Sequence, residues 1–231
     1  MEKTLVSLLL DMTGSMQANK QATIDAYNEY VGALQINPDT MDFLMSVSVF
    51  NSLVGRERVA GPGPVADAPL LSAERYKPDG STPLYDAIAD TIKEAESNAG
   101  PVLVVVLTDG QENASQHHTK GDVNTLVADK IQAGWQFVYL ACGLDAMVEG
   151  AAVGVPSGST LSYSPSTTRQ AMHHLAGASA SYGRAGSAPT ADFFGGGNSV
   201  DLRNPSPASA PQPKPKPRSM KDKPDPTSGA R

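Results

Sequence analysis

A three-layer α/β fold is predicted: Rossmann-like and doubly wound, with a mostly parallel sheet, one antiparallel edge strand and helices on both faces. Three observations predict it. Apolar runs at 4–10, 102–107 and 135–141 have the continuous hydrophobicity of strands covered on both faces. Segments with apolar residues at helical spacing lie between strand-like runs, so strand and helix alternate along the chain. Two strand-like segments, 42–50 and 53–59, follow each other without a helix, which implies a hairpin and hence an antiparallel edge.

The first strand, 4–10, stops at Asp11 and gives way to a Thr-Gly-Ser turn. A helix then carries Ile24, Tyr27, Val31 and Leu34 on one face. Arg56, Glu57 and Arg58 mark the second hairpin strand as partly solvated, and a Gly/Pro-rich loop at 61–69 follows. Thr82-Pro83 opens a helix lined by Leu84, Ile88, Ile92 and Ala95, with the proline suited to its first position, and Gly100-Pro101 ends it. After the 102–107 strand, Val123, Leu126, Val127 and Ile131 define another amphipathic helix. The pattern continues with the strand at 135–141, a short helix at 144–153, a strand at 160–163 and a helix through Met172, Leu175 and Tyr182.

The chain has 231 residues, 40% of them apolar and only 6% aromatic, with 18 prolines and 21 glycines. That is enough for one sizeable core plus an unpacked segment. The expected organisation is one domain over 1–183, with its clearest pattern at 3–155 and a fainter one over 156–183. A disordered Gly/Ser/Pro/Lys-rich basic tail follows over 184–231. Residues 203–231 hold seven Lys or Arg against two Asp, so residues 1–202 hold eleven basic and twenty-two acidic side chains, a net charge of −11. The folded part is expected to repel nucleic acid, while the tail is free to contact it. No two prolines of the tail are three apart, so it lacks the PxxP spacing and reads as an extended spacer.

Cys142 is the single cysteine, which excludes an internal disulfide and fits a reducing cytoplasm. The Leu5–Leu10 run lacks the basic flank and cleavage pattern of a signal peptide, and no apolar stretch approaches the ~20 residues of a membrane span. The expectation is a cytoplasmic protein with no membrane contact. Gly-x-Ser-x-Gly and Gly-x-x-x-x-Gly-Lys motifs are absent. The adjacent pairs His117-His118 and His173-His174 cannot face one metal from a helix.

One constellation carries chemistry. Asp11 ends the first strand, Thr13 and Ser15 follow in its loop, Thr82 precedes a helix, and Asp109 ends the 102–107 strand. In a doubly wound sheet, ligands bind beyond the carboxyl ends of the strands where the strand order reverses. Five oxygen-bearing side chains are thereby brought to one edge. Carboxylates and hydroxyls are hard ligands, suited to Mg²⁺, Mn²⁺ or Ca²⁺ rather than to zinc or copper, and Mg²⁺ fits best because it keeps waters and accepts few carboxylates. Each residue also has a structural explanation: Thr82 as a helix cap, Thr13 and Ser15 as partners for free amides, either Asp as a turn former. Glu112, Asn113 and His117 follow closely enough to line the rim.

Asp11-Met12-Thr13-Gly14-Ser15, Thr82 within Gly80-Ser81-Thr82-Pro83-Leu84, and Thr108-Asp109-Gly110 together resemble the metal-ion-dependent adhesion site of von Willebrand factor A domains, of the bacterial or phage intracellular type. The resemblance covers residues 3–155; Thr13 stands where many members have Ser, and keeps the hydroxyl. It implies that Ser15 and Thr82 coordinate the metal directly, and that Asp11, Thr13 and Asp109 do so directly or through water. One position would remain open for an Asp or Glu of a protein partner. The expected function is therefore a non-enzymatic, cation-dependent protein-interaction module.

Two rivals stand beside it. Asp-x-Thr at a strand end with Mg²⁺ also resembles phosphohydrolases of the haloacid dehalogenase type, whose first Asp attacks phosphorus. Those usually carry a second Asp where Thr13 stands, and their Lys and later acidic pair are not evident here. The other rival is a structural or adaptor subunit of a larger complex, an ATPase-linked machine or a virion. The partner, the oligomeric state and any conformational switching leave no motif.

Overall fold

A computed structural model describes residues 2–203. Its strands are β1 (Leu5–Asp11), β2 (Leu44–Asn51), β3 (Gly55–Pro64), β4 (Val102–Thr108), β5 (Gln136–Cys142), β6 (Thr160–Tyr163) and β7 (Val200–Asp201). They form one seven-stranded sheet in the order β3-β2-β1-β4-β5-β6-β7. Every pairing is parallel except that of β2 with β3. The helices are α1 (Lys20–Ile36), α2 (Leu84–Ala95), α3 (Lys120–Gln132), α4 (Ala146–Ala152) and α5 (Thr168–Arg184).

The continuous apolar runs explain the three layers. All seven positions of β1 and of β4 are buried, so each strand supplies side chains to two cores. Val6, Leu8 and Leu10 pack with Tyr27, Tyr30 and Leu34 of α1 and with Met172 and Leu175 of α5. Leu5 and Leu9 point the other way, toward Leu84, Ile88 and Ile92 of α2, in a core completed by Val123 of α3 and Ala146 of α4. Helices thus cover both faces, and the doubly wound expectation holds. The chain winds outward from β1 to β2 and β3, then returns to add β4 on β1's other side. The strand order therefore reverses between β1 and β4, which pair with Leu10 beside Leu107.

The hairpin differs from its expected limits. Leu53 and Val54 lie in its turn, and β3 continues through Gly61 and Pro62, which the sequence assigns to a loop. As the edge strand, β3 tolerates prolines without losing a ladder bond on its open side. Gly61 has φ 76° and lies so close to β2 that an added Cβ would meet the Met45 carbonyl oxygen. Arg56 and Arg58 turn toward α2, where both bind Glu94, at 2.6 and 2.9 Å. Pro83 occupies the cap position of α2 rather than its first helical position. Among the described residues, no helix is long and apolar enough to cross a membrane.

The unpacked tail expected from residue 184 meets a different arrangement over 184–203. Ser187, Phe193 and Leu202 are buried, and β7 pairs with β6. Thr4 Oγ1 and Ser187 Oγ lie 2.6 Å apart, and the Phe193 ring packs 5.9 Å from Tyr182 and 5.4 Å from Phe194. Three isolated anchors in a Gly/Ser-rich stretch leave no periodic signal, which is why composition alone suggests disorder. The remainder of that expected tail, 204–231, lies outside the described residues.

Phe193→Ala is expected to lower unfolding free energy by about 3 kcal/mol in urea denaturation, since a buried aromatic side chain is removed. An unchanged midpoint would show that this segment does not hold the α5 side of the core.

Candidate metal centre

At the carboxyl edge between β1 and β4, all three sequence segments meet. Asp11 is the last residue of β1 and is fully buried. Its Oδ1 accepts the Thr13 N–H at 2.7 Å, and its Oδ2 accepts the Thr108 hydroxyl at 2.5 Å. The first bond closes the turn after β1; the second ties that turn to the end of β4. Tyr76, also fully buried, donates its hydroxyl to the Asp11 carbonyl oxygen at 2.5 Å.

Ser15 and Asp109 form the exposed side of the site. The Ser15 hydroxyl donates to Asp109 Oδ1 at 2.5 Å and lies 3.1 Å from Thr13 Oγ1. Asn19, in the turn leading to α1, donates to Asp109 Oδ2 at 3.3 Å. On the third side, the Gly14 N–H bonds the Gly80 carbonyl at 2.9 Å, bringing the loop that carries Thr82 against the loop after β1. Gly80 has φ 72°, and an added Cβ would stand 2.8 Å from Ser52 Oγ.

Gly110 shows how closely these oxygens converge. A Cβ placed on it would lie 3.1 Å from Thr82 Oγ1, 3.6 Å from Ser15 Oγ and 3.7 Å from Asp11 Oδ2. Three of the five expected ligands therefore surround one point that the absent side chain leaves open. Asp109 and Thr13 join it through their contacts with Ser15. The donors are all hard oxygens, so the residues fit a divalent cation such as Mg²⁺, Mn²⁺ or Ca²⁺. Among the described residues no group of three or more His, Cys, Asp or Glu could hold a metal, so hydroxyls are indispensable to any site here.

The capping explanation for Thr82 is weakened by what surrounds it. The first amides of α2 are already served from the loop after β4: Tyr85 N–H by Glu112 Oε2 and Ser115 Oγ, at 3.0 and 3.1 Å, and Asp86 N–H by Ser115 Oγ at 3.2 Å. Asn113 clamps Thr82 from both sides, accepting its N–H at 2.8 Å and donating to its carbonyl at 3.1 Å. The Thr82 hydroxyl is thus positioned by its backbone and spared from capping. Glu112 and Asn113, expected on the rim, serve to fix this loop. His117 is exposed and donates its backbone N–H to Asp86.

Electrostatics favour a cation. Burial raises the Asp11 pKa above its ordinary value; hydrogen bonds from Thr108 and Thr13 lower it in part, and the neighbouring Asp109 charge raises it again. Burial likewise raises that of Asp109, against the bonds from Ser15 and Asn19. Among the described residues no Lys, Arg or His is a main cause of either shift. Cys142, near Asp109, is pushed up to about 12 by burial and by that charge, so its thiol stays protonated and unreactive.

Asn19 and Tyr76 are positioning residues that sequence reasoning did not single out; Thr108 entered there only as part of the Thr108-Asp109-Gly110 motif and Asn113 only as a rim residue. Asn19 lies four residues after Ser15, a helical spacing that would bring both to one side. Tyr76 is 65 residues from Asp11 and carries no local signal.

No protein-family model and no curated protein matches the chain. Solved structures do. A von Willebrand factor type A protein from Catenulispora acidiphila matches at 14% identity with a TM-score of 0.54, over 78% of this chain and 43% of that one. The manganese-loaded TRAP protein of Plasmodium vivax matches at 16% and 0.53, over 73% and 71%. Proximal thread matrix protein 1 from the mussel byssus, with a zinc-occupied MIDAS motif, matches at 16% and 0.54, over 76% and 47%. The chain spans less than half the length of the first and third. It has the fold of a von Willebrand factor A domain.

With Asp11 and Asp109 raised in the folded state, protonation favours folding. That contribution is full below the ordinary value of 3.8 and is lost as pH rises through the raised folded-state values. In metal-free protein, the stability of Asp11→Asn relative to wild type is expected to increase from pH 4 to pH 7. A pH-independent difference in urea midpoints would contradict the burial of an ionised Asp11.

Proposed function

We propose that this protein is a non-enzymatic, cation-dependent protein-interaction module. Its cradle would hold one divalent ion, Mg²⁺ in the cell with Mn²⁺ or Ca²⁺ as substitutes, for recognition of an Asp or Glu on a partner protein. Ser15 and Thr82 are assigned as direct ligands, and Asp11, Thr13 and Asp109 as ligands binding directly or through water. The observation that carries this reading is the convergence of Thr82, Ser15 and Asp11 oxygens beside Gly110. The manganese and zinc carried by two proteins of like fold support a divalent ion at this edge.

When bound, the ion supplies a positive centre that two carboxylates and neutral hydroxyls leave attractive to a third carboxylate. The chain's own residues do the rest. Asp11, held at both oxygens, gives a fixed charge at the base of the cradle. Ser15 and Asp109 leave its outer side open to solvent. A phosphohydrolase reading fits less well: a nucleophilic Asp11 would have to attack from full burial with both oxygens engaged. The net charge of −11 over residues 1–202 supports a protein rather than a nucleic-acid partner. The proposed setting is the cytoplasm of a bacterial or phage system, and the buried free thiol of Cys142 suits a reducing compartment.

Titration calorimetry of Mn²⁺ and Mg²⁺ into metal-free protein is expected to give one site. Asp11→Ala and Asp109→Ala should abolish it with the circular dichroism spectrum retained. Gly110→Ala, which places a methyl group among the ligand oxygens, should weaken it by about tenfold or more. Wild-type affinity in both Asp variants would remove the basis for the assignment. Acetate added as a surrogate carboxylate should bind only to the metal-loaded protein.

A further inference from the structure

Among the described residues seven large apolar side chains are exposed, and four of them, Leu53, Val54, Met147 and Val148, belong to the edge that carries the cradle. Leu53 and Val54 form the turn after β2; Met147 and Val148 open α4 just after β5. In the sheet order β3-β2-β1-β4-β5, the cradle over β1 and β4 lies between them. Leu53, Val54 and Val148 line two clefts, each of which also includes a residue from a loop that carries the cradle. Leu53, Val54 and Met12 line one of about 750 Å³, Met12 being the residue between Asp11 and Thr13. Val148, Leu84 and Tyr85 line the other, of about 320 Å³, together with Gln111, two residues from Asp109. Exposed apolar groups on both sides of a polar centre give a partner segment apolar surface to bury beside its polar contact.

We infer that the partner presents an extended segment with an acidic residue at its centre and a large apolar residue two positions away on each side. This rests on the cation reading of the cradle. The spacing follows from the sheet. β2 and β5 are three strand positions apart, about 14 Å at ~4.8 Å per position. In an extended segment, residues i, i+2 and i+4 share one face, and i to i+4 spans about 13 Å. The central carboxylate meets the ion, and the two apolar side chains enter the flanking clefts. Charge complementarity comes from the ion alone, because Glu57, Glu74, Asp79, Glu112 and Glu149 in the same clefts offset Arg58, Arg75, Lys77 and Lys120. An acidic segment is therefore held only when the cation is present.

The test uses the full chain and fluorescein-labelled nine-residue peptides, Ser-rich apart from the probed positions, with anisotropy read in Mn²⁺ and in EDTA. Peptides with Leu-x-Glu-x-Leu are expected to bind about tenfold or more tightly than Ser-x-Glu-x-Ser, only with Mn²⁺, each buried leucine adding to affinity. Moving the leucines next to the Glu should remove the gain. The surface variants Leu53→Ser/Val54→Ser and Val148→Ser should each reduce the preference severalfold while Mn²⁺ affinity stays at the wild-type value. Normal Mn²⁺ binding with no preference for flanking leucines, or a preference that neither variant changes, overturns this inference and leaves the cradle standing. Absence of Mn²⁺ binding overturns the cradle reading and this inference with it.

Discussion

The carboxylate of Asp11 is the constraint on which the carboxyl edge of this protein depends. It is fully buried, and its two oxygens bind the Thr13 amide and the Thr108 hydroxyl. A buried carboxylate without such partners would be costly, so the loop after β1 and the end of β4 are held in the one arrangement that satisfies it. Ser15 is thereby delivered to Asp109, and the shared edge of the two central strands becomes a concentration of oxygen atoms with no Lys or Arg of the described residues bonded to Asp11 or Asp109. Fold stability and metal affinity pull in opposite directions here. The metal-free domain carries buried negative charge that a bound cation would offset.

The scaffold that supports this arrangement is rigid for ordinary reasons. β1 and β4 are buried on both faces, and their alternating side chains lock into two separate cores, one under α1 and α5, the other under α2, α3 and α4. Around the cradle, short polar contacts take over from packing. Asn113 grips Thr82, Glu112 and Ser115 bind the start of α2, and Asp86 accepts the backbone amides of Gln116, His117 and His118. The loop after β4 is thus fastened to α2 at several points, which keeps Thr82 and Gly110 beside each other.

Much of this was legible before the structure. Continuous apolar runs identify β1, β4 and β5, and apolar spacing identifies α1, α2, α3 and α5, because burial on a sheet or against it imposes those periods. The strand at 160–163 was found at its observed limits. What escaped did so for physical reasons. β3 runs through Gly61 and Pro62 because an edge strand needs only half its hydrogen bonds, and so tolerates residues that read as a loop. The packing of 187–202 depends on Phe193, Leu202 and a two-residue strand, too sparse to form a pattern.

The sequence by itself determined the chemistry available at this edge: which strands end in carboxylates, which loops carry hydroxyls, and that neither thiolate nor imidazole stands among them. Those facts are local, since residue type and strand position are written in consecutive residues. Only the tertiary structure decided that the Thr82, Ser15 and Asp11 oxygens face one point beside Gly110, that Tyr76 and Asn19 brace them, and that two apolar pairs flank the site. These are relations between segments tens of residues apart. They are set by strand order, register and the side on which each loop leaves the sheet, none of which is encoded in the spacing of neighbouring residues.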